Sequence, residues 1–168
     1  MVEFRPATFD DVPVLAETVH QGFETYRAFA PRGWEPPDLA FGRSRIAELL
    51  RLPDAWCRLA EDDGAPAGHV ALLAARDRTD ARAPIPGLAH LWMLFVREPW
   101  WGTGLAGRLH ALVVAEAAAR GYREMRLQTP AGQARARAFY EREGWSTDGV
   151  EVFEPMLGLD LVEYRRVL

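Results

Sequence analysis

A glycine-rich loop between an apolar segment and a helical pattern holds the residues whose types and spacing suggest chemistry. The apolar run over 91–96 leads into this loop, which carries Gly102, Gly104 and Gly107. Apolar residues then recur at helical spacing from Leu105 onward. The N-terminus of a helix offers unpaired N–H groups and a partial positive charge, and glycine lets an anion approach the backbone closely. The sequence therefore predicts a cradle for a phosphorylated ligand.

The loop 102–107 also matches the dinucleotide-binding pattern G-x-G-x-x-G. That pattern needs its first glycine at the end of a strand and an acidic residue about 20 residues further on, at the end of the next strand. Here residues 97–101 separate the apolar run from Gly102, and Glu124 falls at the start of the next predicted strand. A nicotinamide-binding module stays an alternative, and it predicts thermal stabilisation by NAD.

Composition narrows the classes of function. The net charge of −4 argues against a general nucleic-acid binder. All 20 basic residues are Arg, so there is no lysine for a P-loop or a Schiff base. Cys57 is the single cysteine, which excludes a disulfide framework and a cysteine-based metal cluster. No signal-peptide pattern opens the sequence and no apolar run approaches about 18 residues, so we expect a cytoplasmic protein with no membrane partner. From the charge and the cysteine count we expect no nucleic-acid partner and no metal.

The elements that must position the loop follow from periodicity and turn residues. Strands are predicted at 2–5, 56–61, 67–75, 88–96 and 123–128, with a β-hairpin over 145–168. Helices are predicted at 12–27, 103–120 and 133–143, and a further one runs from a cap at Asp38 to 52. Segments 30–37 and 76–86 are predicted loops. The length and the absence of linkers or repeats indicate a single domain over 1–168.

Two segments resemble the GNAT superfamily of N-acetyltransferases. The first is Leu94-Phe95-Val96 followed, after a short loop, by Trp101-Gly102-Thr103-Gly104-Leu105-Ala106. It is similar to the family's acyl-CoA motif Arg/Gln-x-x-Gly-x-Gly/Ala, with Trp101 in place of Arg or Gln. The second is QARARAFYEREGW over 133–145, which resembles Asn-x-x-Ala-x-x-Phe-Tyr-x-x-x-Gly-Phe with Gln133 for Asn and Trp145 for Phe. The opening segment FRPATFDD over 4–11 is similar to the family's first strand and helix start. The motifs stand in the family's order, and the resemblance spans nearly the whole chain.

The resemblance implies a fold and a co-substrate. The fold is α/β (α+β by strict usage), with a mixed, mostly antiparallel sheet of about six or seven strands, a splayed parallel central pair and about four flanking helices. Acetyl-CoA would lay its pantetheine arm between strands 88–96 and 123–128, like an added strand, and its diphosphate on the loop. The implied acyl-CoA contacts are Leu94, Phe95, Val96, Trp101, Gly102, Thr103, Gly104, Leu105, Ala106, Gly107, Arg108, Gln133, Ala136 and Tyr140.

Tyr140 is the candidate general acid. The family places a tyrosine here to protonate the leaving thiolate, and Gln133, Ala136 and Tyr140 share one helix face at i, i+3 and i+7. A tyrosine that only packs its ring in the core is the alternative.

His90 is the candidate general base. Many relatives carry Glu at this point of the central strand, and an imidazole with an ordinary pKa of about 6.5 suits proton removal from an amine near neutrality. A structural histidine on a strand is the alternative. We expect His69 to fill core or surface space and His20 and His110 to lie on helix surfaces.

The resemblance implies an acetyl-CoA-dependent N-acetyltransferase that transfers acetyl directly to a primary amine of a small molecule or peptide. Glu24, Tyr26, Trp34 and Trp92 are the candidate acceptor contacts, because a carboxylate with aromatic rings suits a cationic amine. Ordinary packing or solvated charge is the alternative for each. A non-catalytic acyl-CoA-binding or regulatory domain on the same fold also stays open. The C-terminal hairpin could pair between two subunits, which would give a homodimer.

Overall fold

Within residues 1–77 and 83–168, which the computed structural model describes, seven strands form one mixed sheet. The strands are β1 (Val2–Pro6), β2 (Trp56–Asp62), β3 (Ala65–Arg76), β4 (Pro84–Val96), β5 (Glu124–Pro130), β6 (Glu151–Glu154) and β7 (Leu159–Val167). Their order is β1-β2-β3-β4-β5-β7-β6. Neighbours pair antiparallel except β4 and β5, which are parallel. The predicted fold class is therefore confirmed.

Helices cover both faces of the sheet. Among the described residues the α-helices are α1 (Val12–Glu24), α2 (Leu39–Leu50), α3 (Leu105–Ala119) and α4 (Ala134–Arg142). One apolar cluster joins α1 and α2 to one face, with Leu15, Ile46 and Leu59 almost fully buried. A second cluster joins α3 and α4 to the other face around Leu109 and Val113. The sheet is thus the middle layer of three, and a long strand such as β4 contributes to both cores.

Local sequence signals account for most element boundaries. Asp38 begins α2, because its carboxylate accepts a hydrogen bond from the Phe41 N–H at 2.7 Å. Asp63 and Gly64, both at positive φ, make the tight turn that joins β2 to β3. Gly121, at φ 80°, follows α3 and ends it. These capping and turn residues confirm the predicted elements to within a few residues.

Two expectations about the structure need correction. The loop predicted over 76–86 is shorter, since β3 continues to Arg76 and β4 already begins at Pro84; the rest of that prediction, at 78–82, lies outside the described residues. His110 was expected on a helix surface, but it is 3% exposed. Its Nε2 accepts a hydrogen bond from Trp145 Nε1 at 2.9 Å, and its Nδ1 lies 3.4 Å from a Glu143 carboxylate oxygen. Those two contacts tie α3 to the end of α4.

The parallel pair β4–β5 diverges. Only Leu88, Ala89 and His90 pair with β5, opposite Glu124, Met125 and Arg126. Just beyond this point Trp92 is an extra residue in β4, because Leu91 and Met93 pair with the consecutive β3 residues 72 and 71. A bulge of this kind bends its strand and increases the local twist. The last part of β4 therefore turns away from β5, while β3 and β7 remain paired on the outer sides.

Candidate acyl-CoA and acceptor site

The divergence leaves a wedge between two strands whose inner backbone groups lack a strand partner. Residues 91–96 of β4 and 127–130 of β5 face each other across it without pairing. The peptide between Val96 and Arg97 shows which side is open. Its N–H donates to the Ala67 carbonyl of β3 at 2.9 Å, so the Val96 carbonyl points the opposite way, toward the wedge. An extended ligand can pair here as a strand would.

The glycine loop lies at the open end of the wedge and starts α3. Gly104 is the N-cap residue at φ 83°, and Gly102 has φ 77°. Both need the left-handed backbone region that favours glycine. A Cβ added at Gly102, Gly104 or Gly107 would meet no atom within 4 Å, so the space next to this backbone is open. The first N–H groups of α3 have no partner inside the helix, and together with the open space they fit a phosphate group.

A cavity of about 850 Å³ runs from this loop through the wedge. Most of the predicted acyl-CoA contacts line it: Leu94, Phe95, Val96, Trp101, Gly102, Gly104, Leu105, Ala106, Gly107, Gln133, Ala136 and Tyr140. Thr103 and Arg108 do not. The Thr103 hydroxyl donates to the Trp100 carbonyl at 2.7 Å, and the Arg108 guanidinium lies over the Phe4 ring at 4.6 Å. Those two side chains are engaged elsewhere in the protein.

Tyr140 lies where α4 meets the cavity. Its side chain is buried, with its ring edge-on to Phe139 and Trp145 at centroid distances of 5.3 and 5.9 Å. Among the described residues its hydroxyl makes no hydrogen bond. Burial raises the pKa of Tyr140, and electrostatic interaction with Tyr26 raises it further. The phenol is therefore protonated at neutral pH and faces a space that a ligand can fill.

His90 occupies the last paired position of the parallel strands, opposite Arg126, and is not among the described residues that line the cavity. Its Nδ1 is buried without a hydrogen-bond partner in the described part of the chain. Burial, with a smaller contribution from Arg126, lowers the pKa of His90 to about 3. The imidazole is thus neutral at pH 7 but a weak base, so the ordinary pKa on which its predicted role as general base relied is not kept at the closed end of the wedge.

The far end of the cavity is predominantly apolar and aromatic. It is lined by residues of α1 and the turn after it, of α2, and of the β6–β7 connection: Phe23, Tyr26, Phe29, Phe41, Arg45, Glu154, Met156 and Leu157. Of the predicted acceptor contacts, Tyr26 and Trp92 line the cavity. Glu24 does not, and its carboxylate pairs with Arg27 at 2.6 Å. Trp34 does not either, since its indole donates to the Leu157 carbonyl at 2.7 Å and so supports the wall from outside.

Comparison with known proteins identifies the family to which this chain belongs. The sequence profile of the Acetyltransferase (GNAT) family matches residues 19–145, well over half of the chain. The chain belongs to the GNAT family of acetyltransferases. No curated protein matches it in sequence.

Solved GNAT structures share the whole fold. A ribosomal-protein-alanine N-acetyltransferase from Brucella melitensis is 22% identical, with 99% of each chain covered and a TM-score of 0.74. A PaiA N-acetyltransferase from Thermoplasma acidophilum, in complex with coenzyme A, is 15% identical over 100% of this chain and 99% of its own, with a TM-score of 0.72. A phosphinothricin acetyltransferase from Sinorhizobium meliloti, in complex with acetyl-CoA, is 20% identical over 99% and 88%, with a TM-score of 0.73. At these identities the likeness shows the fold.

The protein thus belongs to a family of acyltransferases, and this membership favours the acyl-CoA interpretation of the glycine loop over the dinucleotide one. Within the described residues, no helix is long and apolar enough to cross a membrane. The same part of the chain contains no group of three or more His, Cys, Asp or Glu side chains arranged to hold a metal ion.

The sequence patterns did not predict one feature of this GNAT site, the contact between Arg135 and Trp101. Arg135, in the first turn of α4, lies over the Trp101 ring with its Cζ 4.3 Å from the ring centroid, and both side chains line the cavity. The Trp101 indole in turn donates to the Val96 carbonyl at 2.7 Å. The two residues are 34 positions apart, so helical and strand periodicity could not bring them together. The one available sign was Trp101 itself. It stands where the family motif has Arg or Gln, and so indicates that another residue contacts the phosphate.

Proposed function

We propose that this protein is an acetyl-CoA-dependent N-acetyltransferase that transfers the acetyl group directly to a primary amine of a small molecule or peptide. A single observation carries the proposal. One cavity joins the glycine loop, the wedge between β4 and β5, the Tyr140 ring and an aromatic pocket under α1 and α2. A donor in the wedge and an acceptor in the pocket would therefore meet beside Tyr140. The bound coenzyme A and acetyl-CoA named for two of the similar structures support the choice of donor.

Main-chain groups would hold the donor. The diphosphate fits the open backbone of Gly102 to Gly107 and the free N–H groups at the start of α3. The pantetheine arm fits the edge of β4 near Leu94 to Val96, which has no strand partner on the β5 side, although the Val96 carbonyl already accepts a hydrogen bond from the Trp101 indole. Gln133 and Ala136 border the same space from α4. Acetyl-CoA supplies the activated acyl carbon, and holding it against an amine gives the proximity on which a direct transfer depends.

The chemistry requires balanced proton movements. A primary amine that enters as an ammonium ion first loses one proton and becomes nucleophilic. Its nitrogen then bonds to the acyl carbon as the carbon–sulfur bond breaks and loses a second proton, while the departing sulfur gains one, so one proton is released in total. We assign the proton that the sulfur gains to Tyr140, because its hydroxyl is protonated at neutral pH and its side chain borders the cavity in which the thiolate would form. His90 stays a prediction for the first proton. Since its ring lies outside the cavity lining, a water molecule would have to relay the proton from the amine.

The acceptor pocket favours an amine carried on an apolar or aromatic body. Tyr26 and Trp92, the two predicted acceptor contacts that line the cavity, are joined there by Phe23 and Phe41. Faces of aromatic rings attract cations and bury apolar surface. The proposed contacts therefore rest on Tyr26 and Trp92 rather than on Glu24 and Trp34.

A non-catalytic acyl-CoA-binding domain is the second candidate. Two departures from the family pattern favour it. The Trp101 indole donates to the Val96 carbonyl at the mouth of the wedge, and Gln133 stands where the family motif has Asn. Both candidates predict binding of coenzyme A, but only the enzyme releases free thiol when an amine is supplied.

The test combines calorimetry with turnover. We expect titration of acetyl-CoA to give saturable heat, and release of coenzyme A thiol to rise when a panel of hydrophobic primary amines is added. Binding without amine-dependent thiol release would leave the non-catalytic candidate. The absence of binding heat for both coenzyme A and acetyl-CoA would overturn the proposal.

We also infer that residues 1–168 act as one acetyltransferase domain, which the single sheet of the described residues supports. A homodimer through the C-terminal hairpin stays a prediction. β6 lies at the end of the strand order, and its Val152 and Phe153 are exposed, so this edge is open to pairing with a second chain.

A further inference from the structure

We infer that Arg135, held on the face of Trp101, is the cation that contacts the diphosphate of acyl-CoA in this protein. The guanidinium stacks on the indole at 4.3 Å, and both side chains line the cavity at its loop end. Arg135 belongs to α4, whereas Trp101 belongs to the loop that begins α3. The pair therefore brings a positive charge from one helix to the N-terminus of another.

The hydrogen bond of Trp101 explains why the pair can be rigid. Its Nε1 donates to the Val96 carbonyl at 2.7 Å, and that carbonyl faces the wedge because the N–H of the same peptide is bound to β3. The indole is thus fixed at the mouth of the wedge, although 39% of its surface remains exposed. A fixed ring restricts the guanidinium that stacks on it while leaving the N–H edge of the arginine available to a ligand.

The contacts of the two arginines favour Arg135 over Arg108. Arg108, the predicted phosphate contact, instead lies over Phe4 and donates to the Val2 carbonyl at 3.4 Å. Arg135 forms no ion pair with any described carboxylate, and its side chain is exposed. Arginine binds phosphate oxygens through two parallel N–H groups, which suits a diphosphate beside the loop. Trp101 and Arg135 together would then replace the single Arg or Gln of the family motif.

This inference rests on the proposed function, and its test separates the two. Dissociation constants are measured by calorimetry for coenzyme A and for 3′-dephospho-coenzyme A, which keeps the diphosphate but lacks the 3′-phosphate. The variants are Arg135→Gln, Arg135→Lys and the control Arg43→Gln. Arg43 is exposed on α2 outside the cavity lining, so its substitution removes the same charge at a distance from the loop. The melting temperature of each ligand-free variant reports on folding.

For Arg135→Gln we expect about tenfold weaker binding of both ligands, since a charge-assisted hydrogen bond pair is lost. Arg135→Lys should keep part of the affinity, and Arg43→Gln should match the wild type. The wild-type affinity should fall with added salt more steeply than that of Arg135→Gln.

Three results would overturn the inference. They are unchanged binding by Arg135→Gln, a loss for coenzyme A that 3′-dephospho-coenzyme A does not share, and a loss matched by a lower melting temperature that Arg135→Lys fails to reverse. Failure of the wild type to bind either ligand would instead reject the proposed function.

Discussion

At the scale of single residues, Tyr140 combines two properties that a core tyrosine seldom shares. Its ring is buried against Trp145 and Tyr164, which fixes its position. Its hydroxyl, however, makes no hydrogen bond within the described residues, and the side chain borders the cavity. The hydroxyl is not among the buried unpaired side-chain atoms of the described residues, so it keeps accessible surface at the cavity. Water can pair with it in the free protein, and a ligand atom in the cavity can take the place of that water.

Substitution of Tyr140 by Phe therefore tests the acid without disturbing the packing. We expect kcat to fall by about 100-fold or more, because general acid catalysis is lost, while the dissociation constant for acetyl-CoA changes little. Tyr122→Phe is the matched control, since Tyr122 lies outside the cavity lining. Equal turnover by Tyr140→Phe and the wild type would remove Tyr140 from the mechanism.

His90 is tested by the pH dependence of its variant. A base that relays a proton from the amine matters most below pH 7, where the fewest amine molecules are neutral. We expect His90→Gln to lose the largest factor in kcat/KM at the lower end of the pH range. Since the pKa of His90 is about 3, the wild-type profile should show no inflection from its titration between pH 6 and 8. A loss of equal size at every pH would assign His90 a structural role alone.

At the scale of elements, the strand, loop and α3 were predictable because their signals are local. Apolar periodicity marks the helix, and Gly104 supplies a backbone conformation that other residues adopt at a cost. The shared face of Gln133, Ala136 and Tyr140 follows from helical geometry in the same way, and all three border the cavity. Such features depend on residues within a few turns of one another.

Other features depend on contacts between distant segments, and the sequence did not reveal them. The bulge at Trp92 appears only in the register of β4 against β3. The burial of His110 depends on Trp145, 35 residues away, whose indole donates to it. A histidine on an otherwise helical pattern gives no sign of such a partner. The placement of Arg135 on Trp101 has the same origin.

The glycine loop can be tested as an element through two matched substitutions. Gly104 and Gly149 have φ of 83° and 77°, and a Cβ at either position would meet no atom within 4 Å. Gly104→Ala and Gly149→Ala should therefore lose similar stability, about 1 kcal/mol each, from left-handed backbone strain. Only Gly104→Ala should weaken coenzyme A binding in calorimetry, because its new methyl group fills the space next to α3. Equal affinities for the two variants would mean that the loop does not hold the ligand.

At the scale of the whole molecule, the site depends on a sheet that is packed on both faces and opened in the middle. Antiparallel pairing on the outer sides of β4 and β5 keeps each strand in the sheet after the two have parted. The helices on each face then bring the Tyr140 ring and the aromatic acceptor pocket to the same opening. The residues of the site come from all four α-helices and from strands β4 to β7, so its integrity depends on the global fold.

That global fold should depend on pH through histidines buried in neutral form. His69 has no exposed surface, neither ring nitrogen has a hydrogen-bond partner among the described residues, and burial lowers its pKa to about 3. In the unfolded chain the same ring titrates near pH 6.5. Between these values the unfolded state binds a proton that the native state excludes. The free energy of unfolding therefore decreases as the pH falls below 6.5.

Between pH 7 and pH 5 we expect the free energy of unfolding to decrease by about 2 kcal/mol from His69 alone. His90, whose pKa is also about 3, adds a further decrease. Carboxylates in ion pairs contribute little to the change in stability between pH 7 and pH 5. Asp11, whose pKa Arg5 holds at about 2, loses its contribution only as the pH drops below about 4.

Urea unfolding at pH 7 and pH 5 measures this difference in the free energy of unfolding. His69→Leu places an apolar side chain in apolar surroundings and should remove about half of the pH effect. If His69→Leu and the wild type lose equal stability between the two pH values, the ring is not held neutral by burial.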